Sequence, residues 1–156
     1  MSFLAKRKIH IFNGFLLILP LLAWNVIFTP RLTQEGFTSD ANVPAWILVA
    51  ETLLRIVVFV FPLFLPLNLK DGRQRIGFAV YLIGMILYVG SWIPFLISPD
   101  FAWCSTTVGI LAPYLTPLII FVGIGMIGGS TLYIIIATAF TVFHTMHGII
   151  SFRLLS

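Results

Sequence analysis

An all-α bundle of five transmembrane helices is what this sequence predicts, and its composition, its apolar runs and its connections all point there. Hydrophobic residues make up 60% of the 156 and charged residues only 9%. An average soluble domain carries about 25% charged residues, so this chain cannot build the water-facing surface of a soluble fold. Mean hydropathy is +1.09. Apolar runs of about twenty residues, the length that a hydrocarbon core of roughly 30 Å demands, alternate with short connections rich in turn and cap residues. The spans are expected at about 9–29, 45–68, 76–97, 106–127 and 131–152, as one polytopic membrane domain over 1–156 with no internal repeat and no attached soluble domain.

Span one follows Lys6, Arg7 and Lys8, a basic and then apolar order shared with signal peptides. Its apolar run is too long for one, and Ala23-Trp24-Asn25 puts bulky and polar residues where a small-x-small cleavage site would stand, so a retained span is expected. Pro30 is expected to close it. The connection 31–43 carries Glu35, Gly36, Ser39, Asp40 and Asn42, and Pro44 then suits the first turn of span two, with Asp40 or Asn42 as its cap. Pro62 and Pro66 should bend the inner end of span two, ahead of an Asp71-Gly72 turn among Lys70, Arg73 and Arg75. Span four contains Pro113 and Pro117, and Gly128-Gly129-Ser130 reads as a tight turn into span five.

The net charge of +4 comes from nine Lys and Arg that fall mainly in two clusters. That pattern points to topology and to lipid head groups as partners; no basic, aromatic-interleaved patch of the nucleic-acid kind is present. Basic residues before span one and between spans two and three mark the cytoplasmic side, leaving Arg31 and Arg153 on the other. The expected location is the plasma (cell inner) membrane, with the N-terminus in the cytoplasm and, for five spans, the C-terminus outside. A re-entrant fifth span would reverse the C-terminus. The single cysteine, Cys104, excludes an internal disulfide.

Within this frame the polar residues can be ranked by depth. At about 1.5 Å per residue, Glu51 lies roughly 9 Å below the start of span two, and Arg55 lies one turn deeper. Trp24 and Asn25, Ser91 and Trp92, Tyr114, and His144 and His147 fall in the outer halves of the other four spans. A polar pocket opening outward explains this coincidence most simply, and its ligand-binding residues are expected to be Glu51, Arg55, His144, His147, Trp24, Asn25, Trp92 and Tyr114. Glu51 and Arg55, spaced i, i+4, can pair on one helix face, and a lone mid-bilayer arginine costs about 2.5–3.5 kcal/mol on insertion scales, so the pair should face the bundle interior. The pair reads equally as a structural salt bridge that fixes helix rotation.

On span five, Thr138, Thr141, His144, Thr145, His147 and Ser151 fill one half of the helix circumference, and that half should face inward. Its histidines read first as interhelical hydrogen-bonding groups, second as protonatable groups with an ordinary pKa of about 6.5, and third as two ligands of a metal completed by Glu51. Small residues on span three (Gly77, Gly84) and at the end of span four (Gly125, Gly129) permit close helix approach, within the chain or across a dimer. Trp46 and Trp103 fit an interfacial belt, whereas Trp24 and Trp92 are deeper and suit pocket walls.

Catalytic signatures are missing: no GxSxG, HExxH, P-loop or CxxC occurs, and the one GxGxxG (123–128) ends a membrane span with no strand before it. No cofactor is expected. The reading that follows is a non-enzymatic, multi-pass membrane protein that binds or passes a small amphipathic or anionic molecule, with membrane lipids as partners and, for so small a carrier, a homodimer. A non-catalytic accessory or assembly subunit of a larger membrane complex is the alternative. A metal-dependent intramembrane enzyme using His144, His147 and Glu51 is a third.

Overall fold

The computed structural model describes residues 12–34, 43–98 and 102–152, without the side chains of 31–34. Among these the chain is helical: α1 (Phe15–Gln34), α2 (Ala45–Val60), α3 (Gly72–Ile97), α4 (Thr107–Leu115), α5 (Pro117–Ile127) and α6 (Thr131–Ser151). Helices α4 and α5 form one pass, Thr107–Ile127, so the molecule is an all-α bundle of five helical passes. Four passes are long and apolar enough to cross a membrane. The exception is the first, whose apolar stretch Phe15–Pro30 is shorter, and not the fifth, whose Thr131–Ser151 has 21 residues. With no water in hydrocarbon to satisfy open backbone groups, helices are the form such segments must take.

Several boundaries differ from the sequence expectation, each for a local reason. Span one begins as helix at Phe15 because Asn13 Oδ1 accepts from Phe15 N at 3.0 Å and Gly14 N donates to Leu65 O at 2.8 Å, which pins the entry of α1 to the exit of α2. Pro30 does not close α1: the helix runs through Pro20 and Pro30 to Gln34, since an interior proline forfeits a single ladder bond. Span two leaves α-geometry earlier than expected. After Val60 the chain makes a 3₁₀ turn, Phe61–Phe64, with Pro62 in its first positions, and then extends through Leu65. Span three starts at Gly72, four residues early, because Asp71 and Gln74 form a capping box. Pro44 is the N-cap residue of α2 and makes no side-chain cap. The expected caps Asp40 and Asn42 lie outside the described residues, as do Lys6, Arg7, Lys8 and Arg153.

Close packing of α3 on α5 forms the spine of the bundle, and glycine makes it possible. A Cβ at Gly123 would sit 2.6 Å from Tyr81 N and 2.7 Å from Gly77 O, and one at Gly84 would sit 2.7 Å from Ile120 N. The small-residue stripe of span three is thus used inside the chain. The expected turn at Gly128-Gly129-Ser130 is present: Gly129 has φ +64°, a conformation that glycine adopts without strain, and Ser130 caps α6 by accepting from Tyr133 N at 3.2 Å.

Around this spine the core gathers Ile18 and Leu21 from α1, Val58 from α2, Tyr81 and Tyr88 from α3, Phe121 from α5, and Tyr133 and Phe140 from α6. Two buried tyrosines tie helices through backbone carbonyls: Tyr81 donates to Leu17 O at 3.0 Å and Tyr133 to Val58 O at 3.2 Å. The outside is apolar, with Val26, Leu53, Ile56, Ile86, Val108 and Ile135 all exposed, as lipid-facing positions should be.

Replacing Gly123 with Leu forces α3 and α5 apart and should cost about 1–3 kcal/mol or more. Gly90→Ala, where an added Cβ meets nothing within 4 Å, should be neutral or slightly stabilising. Thermal unfolding of the two variants in detergent checks this, and equal shifts would contradict the assigned interface.

Candidate functional site

The site grows from one turn of α2. Ala45–Val60 is uniformly apolar apart from Thr52 and the pair Glu51 and Arg55, whose i, i+4 spacing brings the guanidinium over the carboxylate. Arg55 Nη2 donates to Glu51 Oε1. The Glu51 side chain is 2% exposed, whereas that of Arg55 is 45% exposed, so the acid is the buried partner and the base stands at the edge.

The remaining contacts to Glu51 come from α6. His144 Nδ1 lies 2.9 Å from Oε1, and His147 Nδ1 lies 2.6 Å from Oε2. Spacing of i, i+3 stacks the two rings one above the other on one face of α6, and the two carboxylate oxygens meet one ring each. An ionised carboxylate accepts only, so each Nδ1 facing it must carry the proton. Glu51 therefore receives three donors from two helices, which satisfies a charge that would otherwise be costly to bury. The ring of His144 is packed between Phe140, stacked at 5.2 Å and 13°, and Tyr114 at 4.7 Å. Tyr114 in turn lies against Gly148, where a Cβ would sit 2.9 Å from its ring.

Beside this cluster is a cavity of about 340 Å³, near the lower end of small-molecule sites. All six helices contribute to its wall. Its polar rim includes Arg55, His144, Tyr114, Asn25 and Tyr88, and the rest is apolar but for Thr29, with the rings of Phe59, Trp92, Phe95, Phe121, Phe140 and Phe152 among aliphatic side chains and prolines. Tyr88 donates to Asn25 Oδ1, linking α3 to α1 on that wall. Trp92 packs edge-on against Tyr88 at 5.8 Å, with its indole nitrogen buried. Val26, 75% exposed, lines the same cavity as the half-exposed Arg55, so among the described residues its mouth lies between α1 and α2.

Five of the eight residues expected from the sequence therefore line one cavity: Arg55, His144, Asn25, Trp92 and Tyr114. Glu51 and His147 stand behind it as the support of Arg55 and His144. Trp24 is not on the wall; its ring packs against Phe28 at 4.2 Å. Ser91 also turns away, donating to Tyr88 O at 2.6 Å on its own helix. On α6 the inward half holds for Thr141, His144 and His147, but Thr138 is exposed and bonds back to Ile134 O at 2.9 Å, as a lipid-facing threonine can. The phenylalanines of the wall carry no polar signal by which sequence could single them out. Tyr88 was legible only through its spacing of four residues from Gly84 on span three.

Among the described residues no three His, Cys, Asp or Glu side chains form a group suited to a metal ion. Glu51, His144 and His147 do converge, but both Nδ1 atoms are turned onto the carboxylate and not toward a shared point.

Glu51→Gln keeps the shape but sets an NH₂ against groups that are themselves donors, so it should destabilise the fold by about 2–4 kcal/mol. Unfolding midpoints of the purified variant in detergent measure this, and an unchanged midpoint would mean that the cluster holds nothing together. Comparison of the chain with family models, with curated proteins and with solved structures found no match.

Proposed function

We propose that this membrane protein binds, and by binding passes, a small amphipathic anion in the aromatic cavity, with Arg55 as its charge partner. The observation that carries the reading is the asymmetry of the ion pair. Glu51 is almost wholly buried and already bonded by three donors, while Arg55 uses a single nitrogen on it and stands at the cavity wall. A guanidinium has five N–H donors, so Arg55 keeps most of them for a carboxylate, sulfonate or phosphate group.

An amphipathic ligand fits better than a fully hydrated ion. The aromatic wall offers an apolar body large contact area, and a mouth between α1 and α2, beside exposed Val26, faces the hydrocarbon more naturally than water. Under the positive-inside orientation the cavity lies in the outer half of the plasma membrane, within reach of molecules dissolved in that leaflet. The accessory-subunit alternative gains nothing from Gly77 and Gly84 of α3, because both are spent on α5.

Native mass spectrometry of protein released gently from its own membrane tests the reading. A small non-protein mass should persist on the wild type and be lost from Arg55→Gln, since losing a charge-assisted contact of about 1.5–3 kcal/mol weakens binding roughly ten- to a hundredfold. Release at fixed stoichiometry with other polypeptides, and with no small molecule retained, would favour the accessory-subunit reading instead.

A further inference from the structure

Among the described residues Asn25 is the one amide side chain on the cavity wall, and an amide has two unlike ends: Oδ1 only accepts and Nδ2 only donates. Which end meets a ligand is decided from α3. Tyr88, 3% exposed, donates its phenol to Asn25 Oδ1. With the amide turned round, the phenol would accept from Nδ2 and its own proton would lose its acceptor. Among the described residues the hydroxyl has no other acceptor than Oδ1, and the indole of the adjacent Trp92 is a donor only. Oδ1 is therefore engaged. Nδ2 has no acceptor among the described residues, so its two N–H groups are left for the cavity.

The amide is also held in place. Seven residues before Tyr88, Tyr81 donates to Leu17 O at 3.0 Å, so α3 grips α1 at two levels about two turns apart. Helix α3 is itself seated on α5 at backbone distance through Gly77 and Gly84. Val26, next to Asn25 in sequence, stands at the cavity mouth with Arg55. A headgroup entering between α1 and α2 therefore passes the Asn25 amide on one helix and the Arg55 guanidinium on the other.

On the reading that this cavity binds an amphipathic anion, we infer that the headgroup is an oxyanion held jointly by Arg55 and by Asn25 Nδ2, and that Tyr88 is the positioning residue that keeps the donor end of Asn25 toward it. Carboxylates, sulfonates and phosphates carry at least two acceptor oxygens and no obligatory donor, so one headgroup can meet both clamps. An alcohol of the same chain forfeits the charge-assisted contact with Arg55 and brings an O–H that the donors there cannot accept. Tyr88 acts through Asn25. Without its phenol the amide is free to turn, and an amide presenting Oδ1 repels an anion but serves an alcohol.

The test uses purified full-length protein in lipid nanodiscs, with octane-1-sulfonate as the probe and octan-1-ol as its uncharged counterpart. Each is titrated by calorimetry, and nanodiscs without protein supply the blank. The wild type should bind the sulfonate at least about tenfold more tightly than the alcohol. Asn25→Leu should weaken sulfonate binding roughly tenfold. Tyr88→Phe should weaken it roughly three- to tenfold while leaving alcohol binding unchanged or slightly stronger. In the Asn25→Leu background Tyr88→Phe should add no further loss, because a residue that acts through another is not additive with it. Equal weakening of both probes by Tyr88→Phe, or a full further loss in that background, would overturn the positioning role. Sulfonate binding that is lost in Arg55→Gln but untouched by Asn25→Leu would overturn the Asn25 clamp and leave the anion site standing. Absence of sulfonate binding by the wild type would overturn the anion site itself, and the clamp with it. If Asn25→Leu does not fold because the Tyr88 hydroxyl is left without an acceptor, the double variant, with both partners apolar, takes its place with the same roughly tenfold loss expected. Unchanged affinity there would overturn the clamp.

Discussion

A buried carboxylate in hydrocarbon surroundings must be answered by donors, and the placement of α2 against α6 follows from that requirement. Glu51 is answered by Arg55 from its own helix and by His144 and His147 from the other. Each of these contacts fixes something else. The pair of imidazoles sets the rotation of α6, because only one face of that helix carries both rings. Arg55 is held at the cavity edge instead of snorkelling to an interface. The aromatic packing of Tyr114 and Phe140 around His144 then brings α4 onto α6 and forms one wall of the cavity. A structural role and a binding role are therefore not competitors for this cluster. The same carboxylate that clamps the helices also holds Arg55 and His144 at the cavity wall.

Elsewhere the bundle is held by shape. Lipid is as apolar as leucine, so helices in a membrane gain little from apolar contact alone, and close backbone approach at small residues takes its place. Gly77, Gly84 and Gly123 let α3 and α5 meet at backbone distance. That tight half contrasts with the half around Asn25, Arg55 and Tyr88, where bulky aromatic side chains meet around an open volume. The first pass shows the same division. At its N-terminal end it is pinned by two backbone bonds to the exit of α2, Gly14 N donating to Leu65 O and Leu67 N to Phe12 O, and further along it forms one side of the cavity.

Much of the site could be read from depth alone. Helical rise is constant, so residues at matched distances from the ends of neighbouring spans are expected near one level, and Asn25, Arg55, Trp92, Tyr114 and His144 line one cavity. Depth says nothing about azimuth within a short window. Trp24, adjacent in sequence to Asn25, points about 100° away from it around α1 and so misses the wall. Thr138 belongs to the polar half of α6 by periodicity, yet it bonds to its own backbone and faces outward. The prolines misled for a related reason: Pro30 reads as a stop, but in a transmembrane helix the loss of a single ladder bond is tolerated.

What the sequence determined by itself is the all-α membrane class, the rough extent of each pass and the presence of one ion pair spaced to lie on a single helix face. These follow from composition and from fixed helical geometry, both local properties of the chain. What only the tertiary structure decided is the assembly of Glu51 with His144 and His147, 93 and 96 residues away, the use of the glycine stripe inside the chain, and the aromatic wall of the cavity. Those depend on the rotation and pairing of helices, which arise from many weak contacts between distant segments and leave no periodic signal in any one of them.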